Sequence, residues 1–436
     1  MPTVQSVTVA VALRVAAADA QRSGCNVKSS RAQTRFSARR SGGRAAAAAS
    51  AIAALVLAGC AGADPSGPTT GPEGDGPIVI GTITDLSTAN AISGAAYAAG
   101  ASAFFDQLNA DGGIDGRSVE FKVLDHKYDP QQAVTAAHAL IEQDGAIALL
   151  APFGTPQTEA LFPYVLQQEG VPILGPAAGL SSWYDPPQRG LFGILTPYDI
   201  QGGFVGKWIG DDGFENVAIV HSDLASYAQV GEAAAAGVVS ANPDAKTTDI
   251  PVKLGTTDYA PIIGQIKQLG ADAVFLAVPT AEVITYLKAQ EQQQLTAETY
   301  AYNAGADVSV PSVAGSAANG LHAVALTLPP NDDAPEIEAY RNALEKYAPD
   351  QEPTFYSLLG YADAAIFAQI VSTIDGPITS ESIIDAYNSA SGIETGILPP
   401  VTFSADHTMG VSQLVKLQIT DGEYVQLGGF VDAESD

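Results

Sequence analysis

Gly154-Thr155-Pro156 sets a flexible residue, a hydroxyl and a helix-starting proline between an apolar run and a helix-like run. Amides at a helix start lack intrahelical partners, so with the Thr155 hydroxyl they can hold a carboxylate; the plainer use is a turn and cap. Ala177, Ala178, Gly179 and Ser181 follow the next apolar run, and residues this small let a guest reach backbone groups, with one hydroxyl added by Ser181. Pro279-Thr280 and the stretch Asn303, Ala304, Gly305 end two later apolar runs. Ligands of open parallel sheets bind beyond the carboxyl ends of the strands, so these loops are expected to face one cleft. Asp199 reads as the cap of a helix from Ile200, and Asp307 is the nearest acid to the 303–305 loop that could meet an ammonium group.

Reaction chemistry finds less support. The five histidines (His126, His138, His221, His322, His407) are far apart and show no HxxxH or HExxH spacing, so no metal site is expected. No GxSxG elbow, Walker A loop or GxGxxG turn after a strand is present, so neither an enzyme nor a cofactor is expected.

Composition narrows the class further. The 436 residues carry 20 Lys+Arg against 48 Asp+Glu, a net charge of −28, which argues against nucleic acid as a partner. Hydrophobic residues at 46% and charged residues at 16% are enough for a packed core. The charge is uneven: residues 1–59 hold eight basic residues and the single acid Asp19, leaving a net of −35 on the 377 residues that follow. A basic stretch at 35–44 precedes fourteen small and apolar residues, Ala45–Ala58, too short to span a bilayer and suited to a signal peptide over 1–59. That stretch ends in Leu57-Ala58-Gly59-Cys60, which resembles a bacterial lipobox and implies lipidation of Cys60. Pro, Gly and Ser dominate the next residues, so 60–76 is expected to be a lipidated flexible tether holding the body outside the membrane. The cysteines are Cys25 and Cys60, so the body must be held by packing without disulfides.

The elements that must position these loops alternate. Strand-like runs at 78–84, 118–124, 146–150 and 170–174 are separated by helix-like runs, with Asp129-Pro130 as cap and first residue of one of them. The alternation pauses at 176–197 and restarts, with strands expected at 217–221, 246–252, 273–278, 299–302 and 322–328. Helices are expected at 334–347, 355–374 and 380–391, then β structure at 396–403 and a hairpin turning at Asp421-Gly422. Strands alternating with helices imply parallel sheets covered on both faces, here in two α/β units.

The order of motifs is distinctive. Ile78–Leu86 (IVIGTITDL), Asn109–Gly116 (NADGGIDG), Asp125–Val134 (DHKYDPQQAV), Phe153–Thr158 (FGTPQT), Thr196–Gly202 (TPYDIQG) and Val217–Tyr227 (VAIVHSDLASY) carry it. In this order and spacing the chain resembles the type I periplasmic binding proteins, the substrate-binding subunits of branched-chain amino-acid-type ABC importers, over about residues 77–430. The resemblance implies two Rossmann-like lobes of Venus-flytrap type joined by three hinge crossings, lobe 1 being 77–197 and 324–398 and lobe 2 being 198–323 and 399–436. It implies ABC permease subunits as partners, and a small polar solute (amino acid, amide or small carboxylate) in the cleft. It also places Tyr227 where the family has an aromatic ligand contact. Gly179 stands where amino-acid binders of the family often carry Thr or Ser, and Ser93 where an aromatic often stands; these departures speak against leucine, isoleucine or valine and point to another small carboxylate, an amide or an aromatic acid. Trp183–Pro186 fits either a packed surface loop or a contact. A bilobed lipoprotein feeding a receptor, or a hydrolase, are the alternatives.

Overall fold

The computed structural model describes residues 76–88 and 90–434. The first apolar runs form a parallel sheet of order β2-β1-β3-β4-β5, from β1 (Ile78–Thr84), β2 (Val119–Asp125), β3 (Leu149–Leu150), β4 (Ile173–Leu174) and β5 (Leu191–Phe192). Three helices alternate with the first strands: α1 (Ala91–Ala110), α2 (Pro130–His138) and α3 (Thr155–Leu161). The expected cap is present: Asp129 accepts the Gln131 and Gln132 N–H groups at 2.8 and 3.0 Å, with Pro130 in the first turn.

The chain then crosses into a second sheet through α4 (Tyr198–Asp211). β6 (Asn216–Ser222), α5 (Ala225–Ala241), β7 (Lys246–Val252), α6 (Ala260–Leu269), β8 (Ala273–Ala277), α7 (Thr280–Gln293), β9 (Glu298–Ala301), α8 (Ser309–Ala314) and β10 (His322–Ala325) follow. Every residue of β8 is buried, as a strand covered on both faces must be. α9 (Pro335–Tyr347), α10 (Phe355–Val371) and α11 (Ser380–Asn388) return to the first sheet, where Phe367 meets Phe105 and Tyr387 meets Phe192. β11 (Gln413–Thr420), β12 (Glu423–Gln426) and β13 (Val431–Asp432) close the chain. The second sheet runs β12-β11-β10-β9-β8-β6-β7, parallel from β6 to β10 and antiparallel at β11 and β12. The hairpin between β11 and β12 turns at Asp421 and Gly422, whose positive φ values of 53° and 82° match the twist of the strands they join.

The chain thus passes between the sheets three times: after β5, after β10 and before β11. Two stretches sit on the other side of an expected crossing. Val324 and Ala325 pair with Lys416 and Val415 in the second sheet, and the strand ends there, shortly before Pro329-Pro330, which have no N–H to extend it. Phe403 packs on Phe192 with ring centres 5.4 Å apart, and Met409 bridges Gly193, so this stretch lies against the first sheet. The β structure expected at 396–403 is a single bridge, Ile393 to Val401, because Pro399 and Pro400 cannot donate to a ladder.

Helix α1 meets α10 at glycines. A Cβ added to Gly100 would lie 1.8 Å from the Ser357 carbonyl oxygen, and one on Gly360 would lie 2.1 Å from that of Tyr97. This contact brings the first turn of α10, with Tyr356, up to the strand ends, and the Thr354–Ser357 capping box fixes where that turn starts.

Candidate ligand-binding cleft

A cleft of about 540 Å³, partly open to solvent, lies at the carboxyl ends of strands from both sheets. From the first sheet come Asn90 and Ser93 beyond β1, Tyr128 beyond β2, Phe153, Gly154 and Thr155 beyond β3, and Ala177 beyond β4. From the second come Ser226, Tyr227 and Val230 beyond β6, Pro279 and Thr280 beyond β8, and Tyr302 and Ala304 beyond β9. Tyr198 at the first crossing and Tyr356 at the start of α10 complete the wall.

His126 builds one side. Its Nε2–H donates to the Phe153 carbonyl at 2.8 Å while Nδ1 accepts the Tyr128 N–H at 2.9 Å, which fixes the neutral tautomer. The ring is fully buried. Burial pushes the imidazole below its ordinary value, against the opposing pull of the Phe153 carbonyl, Asp85, Asp125 and Asp129. Lys127 and Tyr128 both adopt left-handed backbone, φ 53° and 55°, a conformation that costs L-residues energy. The turn is held by Lys127 N–H on Asp125 (2.8 Å), Tyr128 N–H on His126, and Gln157 Nε2 donating to the Tyr128 carbonyl (2.8 Å). The buried Asp85 carboxylate organises the loop before α1, accepting N–H groups of Ser87, Thr88 and Asn90 at 2.9–3.2 Å and the Thr88 hydroxyl.

Five tyrosines dominate the interior. Tyr198 and Tyr302 meet edge to face, ring centres 5.4 Å apart and planes at 80°. The Tyr227 hydroxyl interacts with those of Tyr128 and Tyr302, and the Tyr356 hydroxyl with Thr280 and Ser93. Burial raises all five phenols, Tyr356 to about 12, so they stay neutral in any physiological medium. None of the described side chains around the cavity is acidic or basic. The site can therefore offer hydrogen bonds and ring faces to a guest.

Of the candidates read from sequence, Gly154, Thr155, Ala177, Tyr227 and Thr280 line this cavity. Asn303 instead lines a neighbouring cavity of about 270 Å³, its N–H on Gln201 Oε1 at 3.1 Å. Ala178 is buried among Phe162, Trp183 and Ile173. Gly179 has φ 137° with the Trp183 ring where a Cβ would sit, and its carbonyl accepts the Tyr198 N–H at 3.0 Å, so it positions that tyrosine. Ser181 is engaged by Asp199, to which it donates both N–H and hydroxyl. Gly305 packs against Ala301 and Ala323, and its carbonyl accepts from Tyr424. Asp199 lies in the first turn of α4, which starts at Tyr198, and serves Ser181 in place of the expected cap. Asp307 is buried outside the cavity wall, with Oδ1 on the Ser309 N–H. Trp183 is a packed residue, its Nε1–H on Glu159 and its ring on Phe162. Cys60 lies outside the described residues.

Sequence reasoning missed Phe153, Tyr128, Tyr198, Tyr302 and Tyr356. Tyr198 and Tyr302 adjoin Asp199 and Asn303, so their strand-end position was a usable signal. Tyr128 and Tyr356 carried none, because only the left-handed turn and the α1–α10 contact aim them inward.

A parallel and a largely parallel α/β sheet, three crossings and a cavity at their facing strand ends define the bilobed binding-protein class. Residues 77–423 match the family model described as periplasmic binding protein, and the chain belongs to that family. A relative from Pseudomonas aeruginosa named amino acid binding protein is 26% identical over 295 residues, covering 65% of this chain and 75% of its own. Among solved structures, a branched-chain amino acid ABC transporter protein from Thermus thermophilus with bound valine superposes with a TM-score of 0.74 at 18% identity, covering 81% of this chain and 96% of its own. A fatty acid ABC transporter substrate-binding protein from Thermomonospora curvata has a TM-score of 0.74 at 20% identity, covering 85% and 96%. The fold is the type I periplasmic binding protein fold.

Proposed function

We propose that the chain is the extracytoplasmic solute-binding protein of an ABC importer. It captures a small polar solute, an amino acid, amide or small carboxylate, between lobes that close on hinge segments, and delivers it to permease subunits without chemical change. The observation that carries this reading is the shared cavity: its walls come in similar measure from both sheets, so a guest makes its full set of contacts with both lobes in place. Such a guest favours closure by its differential affinity for the closed state. The Pseudomonas aeruginosa relative named as an amino acid binding protein supports the solute class. Gly154, Thr155, Ala177, Tyr227 and Thr280 are the proposed contacts, with the tyrosines beside them.

The proposal includes attachment through Cys60. The resemblance of Leu57–Cys60 to a lipobox and the tether-like composition of 60–76 support this, and among the described residues no helix is long and apolar enough to cross a membrane. A thermal-shift screen of amino acids, amides and aromatic acids tests capture, since a ligand of the native state raises the melting temperature. A true solute is expected to give a saturable shift; catalytic turnover of a stabilising compound would overturn the reading. Cys60→Ser is expected to move the protein from the membrane fraction to the medium.

A further inference from the structure

Resting on that reading of the cleft, we propose that its solute carries an N-methylated, quaternary ammonium group, held in a cage of tyrosine rings. Tyr128, Tyr198, Tyr227, Tyr302 and Tyr356 reach the cavity from five separate segments, and Tyr198 and Tyr302 stand at 80° to each other, forming a corner of aromatic walls. Ring faces attract cations through their quadrupole, most strongly where water is excluded.

The tyrosine hydroxyls have polar neighbours within the wall. Those of Tyr128, Tyr227 and Tyr302 interact with one another, that of Tyr356 with Thr280 and Ser93, and that of Tyr198 lies 3.4 Å from the Ala177 carbonyl. Beside the ring surfaces, the wall offers a guest only neutral polar side chains such as Asn90, Thr155 and Ser226. A primary ammonium brings three N–H donors that would leave water and need acceptors, at a cost if unmet. A quaternary ammonium has no N–H to satisfy, so the same walls suit it.

Charge points the same way. The ionisable acids that act on these rings are Asp85, beside Tyr128, and Asp307, beside Tyr356. Asp307 is buried and its Oδ2 has no hydrogen-bond partner. Burial holds that carboxyl above its ordinary range, and a cation in the cage favours its ionised form. No lysine, arginine or histidine lines the described wall to repel a cation, and the whole chain carries −28.

Titration calorimetry on the full chain tests this with choline, glycine betaine, the neutral tert-butyl isostere of choline, leucine and benzoate. Choline or glycine betaine is expected to bind at least about tenfold tighter than the isostere. Tyr302→Leu is expected to erase that preference and Tyr302→Phe to keep it, circular dichroism showing that both fold. An isostere that binds as tightly as choline, or no heat from either ammonium at millimolar concentration, overturns the cage. Leucine or benzoate binding in that case leaves solute capture standing; silence from all five probes, with no shift across the wider solute screen, removes both.

Discussion

Replacing His126 by leucine strikes the point where two loops of the cleft are tied together. The imidazole links the Phe153 carbonyl (2.8 Å) to the Tyr128 N–H (2.9 Å) in a fully buried position. Leucine fills similar space but leaves both backbone groups without that partner. A buried polar group left unpaired costs about 1–3 kcal/mol, so the two together give an upper range of about 2–6 kcal/mol. Tyr128 is half-buried and its N–H can regain water, and release of its left-handed backbone returns about 1–2 kcal/mol, so the expected net loss is about 2–3 kcal/mol. Denaturant unfolding should show a lower midpoint at unchanged slope. His126→Gln, which keeps one donor and one acceptor, should recover part of the loss. The pH dependence supplies a second signature. With the folded-state value held below the ordinary histidine value of about 6.5, the contribution is complete above that pH and declines as pH falls from there towards the folded value. Asp85, Asp125 and Asp129 face the ring and reduce the decline without reversing it. The leucine variant should lack this slope. A variant with wild-type midpoint and the same pH profile would refute the clamp.

Three further outcomes follow from the same geometry. Thr155→Ala and Tyr227→Ala are each expected to weaken solute binding by about tenfold, with little change in melting temperature for Thr155→Ala; wild-type affinity in both would reject the cleft assignment. Gly100→Ala places a Cβ 1.8 Å from the Ser357 carbonyl oxygen and should cost about 1–3 kcal/mol or more as α1 and α10 separate, read by thermal unfolding; an unchanged midpoint would contradict the close packing. Asp363 is buried, and burial raises its carboxyl well above the ordinary range, while the Tyr97 hydroxyl donating at 3.1 Å opposes this. A raised acid stabilises fully below its unfolded value of about 3.9 and loses that contribution as pH rises towards the folded value. Asp363→Asn should therefore be least harmful, or stabilising, at alkaline pH; a loss that grows with pH would reverse the sign argued here.

Much of the architecture was legible because local chemistry and global fold agree. The apolar run at 273–278 reads as a buried strand, and 273–277 forms one, while Asp129-Pro130 marks a helix start that the fold keeps. The Asp421-Gly422 turn was visible for the same reason: its backbone demands those residue types. The site was legible only where it hangs directly from strand ends, as at Gly154, Thr155, Ala177, Tyr227 and Thr280. Ser181 and Gly179 look like ligand contacts by type and position, yet Asp199 and Trp183, respectively, occupy them.

The order of apolar runs, turn residues and caps determined by itself that this is a parallel α/β protein of two units, because strand and helix periods and their punctuation are written locally. Which side chains look into the cavity was decided by tertiary structure alone. Tyr128 is aimed by a left-handed turn fastened to His126, and Tyr356 by two glycines in other segments that let α1 and α10 touch. Such directions depend on contacts between residues far apart in the chain, and local sequence carries no record of them.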